Sequence, residues 1–312
     1  MKTDLTEFDV ITEFDVIIVG GGAAGLSAAL WCADLGIKSI VLEKNEAPGG
    51  QLRWIHTPIR NYPAIEASNG KDFLKRLLDQ VAKRATDIQT SSAVAAADVV
   101  ERVIVLKNGQ RLNAKAIVIA TGVRRRKLVV PGEDEFVGKG ILETGQIGRE
   151  LLRGKRVAIV GGGDAAFENA DALSRFAETV YLLHRRSTFS ARTSFIERVS
   201  GDPKIELTTE ARVKEFGGSD RLESLEYVDA NGNSHSLAID AALIRIGVEP
   251  NTEFFRDSLE LDSRGYVTVN HLGETSAKLV FAIGDVANPT APTLASAIGM
   301  AATAVKTIRS QI

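Results

Sequence analysis

Short apolar runs that end in glycine set the rhythm of this chain. Val16–Val19 runs into Gly20, Val157–Val160 runs into Gly161, Ala116–Ala120 leads to Thr121-Gly122, and Ala241–Ile246 ends at Gly247. Each reads as a buried strand closed by a tight turn, and Ser39–Leu42, Val180–Leu183 and Leu279–Ile283 read the same way. Between them, charged amphipathic stretches predict helices, one around Lys71 to Arg84 and a last one from about Thr293. Asn108-Gly109 predicts a type I′ hairpin, and Asn231-Gly232 marks a second hairpin at the matching place in the other half. Strand, glycine turn, helix, strand and hairpin thus occur twice in the same order. The fold class expected is α/β, with two Rossmann-like three-layer nucleotide-binding domains, each with a β-meander attached. The tail strand before Gly284-Asp285 has no glycine fingerprint of its own, so it is expected to complete the first sheet. One domain is then inserted into the other. The outer one takes 1–122 and 248–312, the inner one 123–247, and the crossovers near Gly122 and Gly247 form a two-stranded hinge.

The two glycine turns carry the chemistry. The first reads Gly20-Gly21-Gly22-Ala23-Ala24-Gly25, and Glu43 ends the next strand. The second reads Gly161-Gly162-Gly163-Asp164-Ala165-Ala166, and the equivalent strand ends in His184-Arg185-Arg186. A strand running into such a turn, with a helix beginning at once, aims helix N-terminal amides at a pyrophosphate. One motif of this kind is weak evidence, whereas two with equal spacing to the ribose-reading position are strong evidence. A carboxylate at Glu43 can accept hydrogen bonds from a bare ribose diol, while guanidinium forks at Arg185 and Arg186 suit a 2′-phosphate. FAD in the first site and NADPH in the second is the simplest assignment. The alternative for the arginines is a solvated charge cluster at a strand end.

Composition changes this picture little. Hydrophobic residues make up 44% and charged residues 25%, as in ordinary globular proteins. The net charge of -2 gives no reason to expect nucleic acid or an anionic membrane as a partner. The N-terminus, Met1-Lys2-Thr3-Asp4, lacks a secretory pattern, so a cytoplasmic location is expected. The hexapeptide Thr6–Ile11 repeats as Thr12–Ile17, and only the second copy leads into the turn. Cys32 is the one cysteine, placed mid-helix after the first fingerprint and expected to be buried. The four histidines show no metal-ligand spacing, so no metal site is expected.

With Gly49-Gly50-Gln51-Leu52, Asn61-Tyr62-Pro63, Ala120-Thr121-Gly122, Ile246-Gly247 and Gly284-Asp285 added to the two fingerprints, the chain resembles the low-molecular-weight thioredoxin reductase family from Phe14 to Ile312. Its relatives include the ferredoxin–NADP reductases of thioredoxin-reductase type. The resemblance implies a homodimeric flavoprotein that moves a hydride from NADPH to FAD. It assigns Gly20, Gly22, Ala23 and Ala24 to the FAD pyrophosphate turn and Glu43, with Lys44 beside it, to the FAD ribose. Gln51 and Asn61 would line the flavin, Thr121 and Gly122 would flank it, and Gly284, Asp285 and Thr293 would complete the FAD site, with Asp285 on the ribityl chain. Gly161, Gly163, Asp164 and Ala165 would form the NADP pyrophosphate turn, His184, Arg185 and Arg186 the 2′-phosphate clamp, and Ile246 a further NADP contact.

Two departures bear on function. The family's redox cysteines fall at Thr144 and Ile147, neither of which can relay electrons to a disulfide. The family's third clamp arginine is Ser190, with Arg192 close by, which leaves room for some use of NADH. The expectation is an FAD-dependent NAD(P)H oxidoreductase without a dithiol, delivering electrons to a small electron-carrier protein such as a ferredoxin or flavodoxin. The alternatives are a small-molecule acceptor (a quinone or oxygen) and a flavoprotein that senses NAD(P)H without turnover. No acid–base catalytic residue is assigned, since the flavin carries the chemistry.

Overall fold

The computed structural model describes residues 12–84, 86–144 and 149–312. The first copy of the N-terminal repeat, Thr6–Ile11, lies outside them. The chain forms two compact units: one takes the described residues up to Arg124 together with Glu249–Ile312, the other is Arg125–Val248.

The first unit is built on one seven-stranded sheet. Its strands are β1 (Thr12–Val19), β2 (Ser39–Leu42), β3 (Asp87–Gln89), β4 (Val94–Asp98), β5 (Val103–Leu106), β6 (Arg111–Ile119) and β17 (Val280–Ala282). The order is β3-β2-β1-β6-β5-β4, and β17 branches onto β6. β6 is long enough to serve two partners along one edge. Arg111–Asn113 pairs antiparallel with β5, and Ile117–Ile119 pairs parallel with β17. The run Val16–Val19 is buried on both faces, as its unbroken apolar sequence predicts. Val16 and Ile18 face α1 (Ala23–Asp34) and α5 (Leu294–Gln311), while Ile17 and Val19 face β4, β5 and the Phe255–Val286 segment. A third cluster packs α2 (Gly70–Ala82) against α1 through Leu26, Phe73 and Leu77. Asn69 caps α2 by accepting from the Asp72 amide, and Thr293 caps α5 in a reciprocal box with Ser296.

The second unit holds a five-stranded parallel sheet in the order β11-β10-β9-β15-β8. These are β8 (Ile141–Leu142), β9 (Arg156–Gly161), β10 (Thr179–Leu183), β11 (Ile205–Thr208) and β15 (Ala241–Arg245). Val157 and Ile159 pack under α3 (Asp164–Ser174) and α4 (Thr193–Ser200). Ala158 and Val160 face a separate three-stranded antiparallel sheet of β12 (Arg212–Gly218), β13 (Leu222–Val228) and β14 (Ser234–Ala238). The two halves therefore differ: the antiparallel strands continue the main sheet in the first unit and form their own layer in the second. The chain passes between units on β7 (Val123–Arg125) and β16 (Val248–Pro250), which pair with each other.

The hairpins correct one expectation. At Asn108-Gly109 only Gly109 has positive φ (88°), whereas a type I′ turn needs it at both central residues. The connection is a four-residue loop in which the Leu106 amide donates to the Gln110 carbonyl and the Gly109 amide to the Leu106 carbonyl. The Asn108 side chain accepts from the Gln110 amide and holds Asn108 out of the left-handed region. Asn231-Gly232 follows the same plan, with Asp229 accepting from the amides of Asn231 and Asn233.

Candidate functional site

Both glycine turns are shaped by one close approach. Gly20 has φ 111°, and a Cβ there would run into the Ala120 carbonyl at the end of the neighbouring strand β6. Gly161 has φ 158°, and its Cβ would run into the Arg245 carbonyl at the end of β15. In each unit the chain can leave the sheet at that point only without a side chain. The third glycines behave oppositely. A Cβ on Gly22 would meet only the Gly50 Cα at 3.9 Å, and one on Gly163 only the Ser190 Oγ at 3.7 Å. Neither has a positive φ, so the fold itself does not demand glycine there. The turns leave open space where a pyrophosphate must approach backbone.

In the first unit, contacts join most of the expected FAD residues. Glu43 is buried and accepts from the Gly21 amide at 2.9 Å, and from the Asn45 amide and Nδ2. A Cβ on Gly284 would lie 2.8 Å from that of Ala24, which sets Gly284, the residue before Asp285, against the first turn of α1. The Asp285 carboxyl is raised by burial, with no opposing hydrogen bond among the described residues. Gln51 donates from Nε2 to the Val123 carbonyl, and Thr121 and Asn251 exchange bonds: Thr121 Oγ1 to the Asn251 carbonyl, Asn251 Nδ2 to the Thr121 carbonyl. Gly122 follows with φ 63° and accepts from the Asn251 amide. Lys44 and Asn61 are exposed, and the exposed Thr293 hydroxyl is used in the cap of α5. An open turn, a carboxyl desolvated by burial and a buried carboxylate just after β2 fit FAD.

In the second unit, the loop after β10 is stitched back onto the turn. Ser190 donates its amide and hydroxyl to the Gly162 carbonyl, and the Ala191 amide donates there too. Arg192 donates its amide and Nε to Asp164, both at 2.8 Å. Asp164 opens α3 beside Ala165, and Arg192 offsets its charge there. Sequence reading missed this pair, since nothing in the spacing says that Asp164 would be bridged. Arg192 also stacks on Phe195, at 4.5 Å from the ring centroid. His184 makes a 3.0 Å contact with the Thr188 carbonyl, and burial depresses its pKa, with Arg186 and Arg185 adding to the effect. Arg185 and Arg186 are exposed at the end of β10, and no salt bridge engages either among the described residues. Ile246 is half-buried and packs on the core beneath the three-stranded sheet. Free guanidinium forks near an open glycine turn fit a phosphorylated pyridine nucleotide.

Thr144 is half-buried and directly follows Glu143, whose carbonyl accepts from Arg245. Ile147 lies outside the described residues. Cys32 is fully buried in α1, and burial pushes its thiol up to about 12. Among the described residues no three His, Cys, Asp or Glu side chains gather as a metal site would require, and no helix is long and apolar enough to cross a membrane.

The pyridine nucleotide-disulphide oxidoreductase family matches residues 14–307. The chain belongs to that family. Members of this oxidoreductase family use FAD and NADPH. A component of the alkyl hydroperoxide reductase of Staphylococcus aureus (strain NCTC 8325 / PS 47) is 31% identical over 294 residues, which is 91% of this chain. The chain spans 56% of the length of that relative. Among solved structures, the thioredoxin reductase of Lactococcus lactis aligns with a TM-score of 0.82 at 27% identity, covering 96% of this chain and 100% of that one. The thioredoxin reductase of T. acidophilum aligns at 0.79 and 29%, covering 96% and 98%. The bacillithiol disulfide reductase of Staphylococcus aureus shares the fold at a TM-score of 0.75 and 18% identity, covering 96% and 99%.

Two expectations follow. Gly22→Val should fold with near-normal thermal stability and emerge without yellow colour, because its side chain occupies only the open space. Gly25→Val should not fold, because its Cβ would strike the Gly20 carbonyl. A yellow Gly22→Val protein would remove the pyrophosphate from this turn. Replacing Arg185 and Arg186 together by alanine should weaken NADPH by roughly a hundredfold, on a scale of ~1.5–3 kcal/mol per charge-assisted hydrogen bond. NADH should change little; equal loss of both nucleotides in a titration would assign these arginines to folding instead.

Proposed function

We propose that this protein is an NAD(P)H-dependent flavoprotein reductase that works without a protein dithiol and passes electrons to an external acceptor, with a small iron–sulfur or flavin carrier favoured. The observation that carries this reading is sulfur. The chain has one cysteine, Cys32, and it is fully buried with its thiol pushed up to about 12. Reduction of a disulfide through protein thiols needs an attacking thiolate and a second thiol to resolve the mixed disulfide. Thr144 and Ile147, at the positions of the family's cysteines, supply neither.

FAD, when bound, supplies the conversion between two-electron hydride uptake and one-electron release. The chain's own residues bind and orient. Glu43, the open Gly22 position and Asp285 would hold the flavin nucleotide. The Gly163 turn, with Asp164 neutralised by Arg192, would seat the pyridine nucleotide pyrophosphate, and Arg185 and Arg186 its 2′-phosphate. The clamp has two free arginines, since Ser190 is a hydroxyl and Arg192 is held by Asp164. NADPH preference is therefore expected to be modest. By family resemblance the working form is a homodimer.

A test uses the FAD-loaded protein with NADPH under anaerobic conditions, followed by a panel of ferredoxin, flavodoxin, quinones, oxygen and thioredoxin. Flavin reduction by NADPH should be complete, and reoxidation fastest with a carrier protein. Thioredoxin should not be reduced at enzyme-like rates, and Cys32→Ser should leave flavin reduction unchanged. Rapid thioredoxin reduction that vanishes in Cys32→Ser would overturn the dithiol-free reading.

A further inference from the structure

The second unit carries a buried cation that neither glycine turn explains. Arg245 is the last residue of β15 and pairs in register with Gly161, the first glycine of the nucleotide turn. It is 6% exposed, which is rare for a charged side chain without a partner of opposite sign. Among the described residues its guanidinium donates to main-chain carbonyls: one terminal nitrogen to Ile244 at 2.8 Å, the other to Glu143 at 3.1 Å. The chain just past β7 runs beside it: the Arg126 amide donates to the carbonyl of Gly247, two residues after Arg245, and the charge of the exposed Arg125, at the end of β7, acts on Arg245. Arg125 has one carboxylate in its field, Glu143, and among the described residues no carboxylate is hydrogen-bonded to either guanidinium. Burial, with repulsion from Arg125 added, draws Arg245 down to about 10, which leaves it charged at neutral pH.

Two like charges, one of them desolvated, are poorly compensated by carbonyl dipoles alone. Their place is the carboxyl edge of a parallel sheet, beside the strand that enters a nucleotide turn, where ligands of such sheets collect. It lies on the β15 side of that turn, whereas His184, Arg185 and Arg186 lie on the β10 side. We propose that Arg245 and Arg125 form an oxyanion-binding site, specific for a phosphate-type group and separate from the arginines after β10. Arg245 is the fixed, desolvated donor, and Arg125 closes the site from the solvent side. The phosphate group is either part of the pyridine dinucleotide, its pyrophosphate lying toward β15, or belongs to a separate phosphorylated ligand.

The test uses full-length, FAD-loaded protein and inorganic phosphate as the probe, titrated calorimetrically in a phosphate-free, low-salt buffer. Arg245→Gln and Arg125→Gln should each weaken phosphate by on the order of tenfold, the scale of one charge-assisted hydrogen bond. The Arg185→Ala, Arg186→Ala double variant should keep a phosphate site of wild-type affinity. Saturating NADH, which has no 2′-phosphate, separates the two sources. Displacement of phosphate by NADH assigns the pair to the dinucleotide's pyrophosphate, and simultaneous binding assigns it to a separate ligand. Should Arg245→Gln fail to fold, the exposed Arg125→Gln decides the matter alone. Phosphate binding unchanged in the folded variants, or lost in the Arg185/Arg186 variant, would overturn the site.

Discussion

The distance between a glycine and a carbonyl governs this molecule. At Gly20 and again at Gly161, the chain leaves a central strand so close to the end of its neighbour that no side chain fits between them. This approach fixes where the following helix begins, so the helix amides and the open third glycine sit at the carboxyl edge of the sheet. The strand after that helix, adjacent in both sheets, then falls where the residues that follow it border the same turn. Glu43 and His184 reach their places for that reason, each set against the second glycine of its turn: a Cβ on Gly21 would meet the Glu43 carboxylate, and one on Gly162 the His184 ring.

Much of this was legible from residue order. Apolar runs entering glycine, with the Ser39–Leu42 and Val180–Leu183 strands after them, gave the parallel cores because side chains buried on both faces leave an unbroken apolar signature. The last helix was expected from about Thr293, where the structure starts it with a Thr293 cap, because capping acts within a few residues. The hairpin at Asn108-Gly109 was misread because the dipeptide preference for type I′ turns competes with the Asn108 side chain binding its own backbone, and the latter prevails here.

What sequence could not give depends on chain segments far apart. Asp164 and Arg192 meet because the loop after β10 folds back through Ser190 onto Gly162. Arg124 meets Glu249, Asn251 and Glu253 because the chain returns beside its own exit strand. Arg245 ends an apolar strand in which Ala241–Ile244 are all buried, and only packing shows that its charge is buried with them. Pattern analysis weighs a residue by type, and a lone arginine at a strand end looks like a solvated one.

The discontinuous sheet of the first unit has a consequence for biogenesis. β6 presents one flank to β1 and its other flank, over Ile117–Ile119, to β17. On a ribosome, β1 and β6 emerge early, and β17 arrives only after the whole of Arg125–Val248 has been made. The inserted unit draws all its strands from one contiguous stretch and can close as soon as it emerges. Until then the nascent outer sheet holds an apolar edge with unpaired amides and carbonyls, and α1 lacks the α5 surface that covers it in the finished protein. The interval before residue 280 is translated is when this chain is most exposed to aggregation, and when a chaperone would have most to shield.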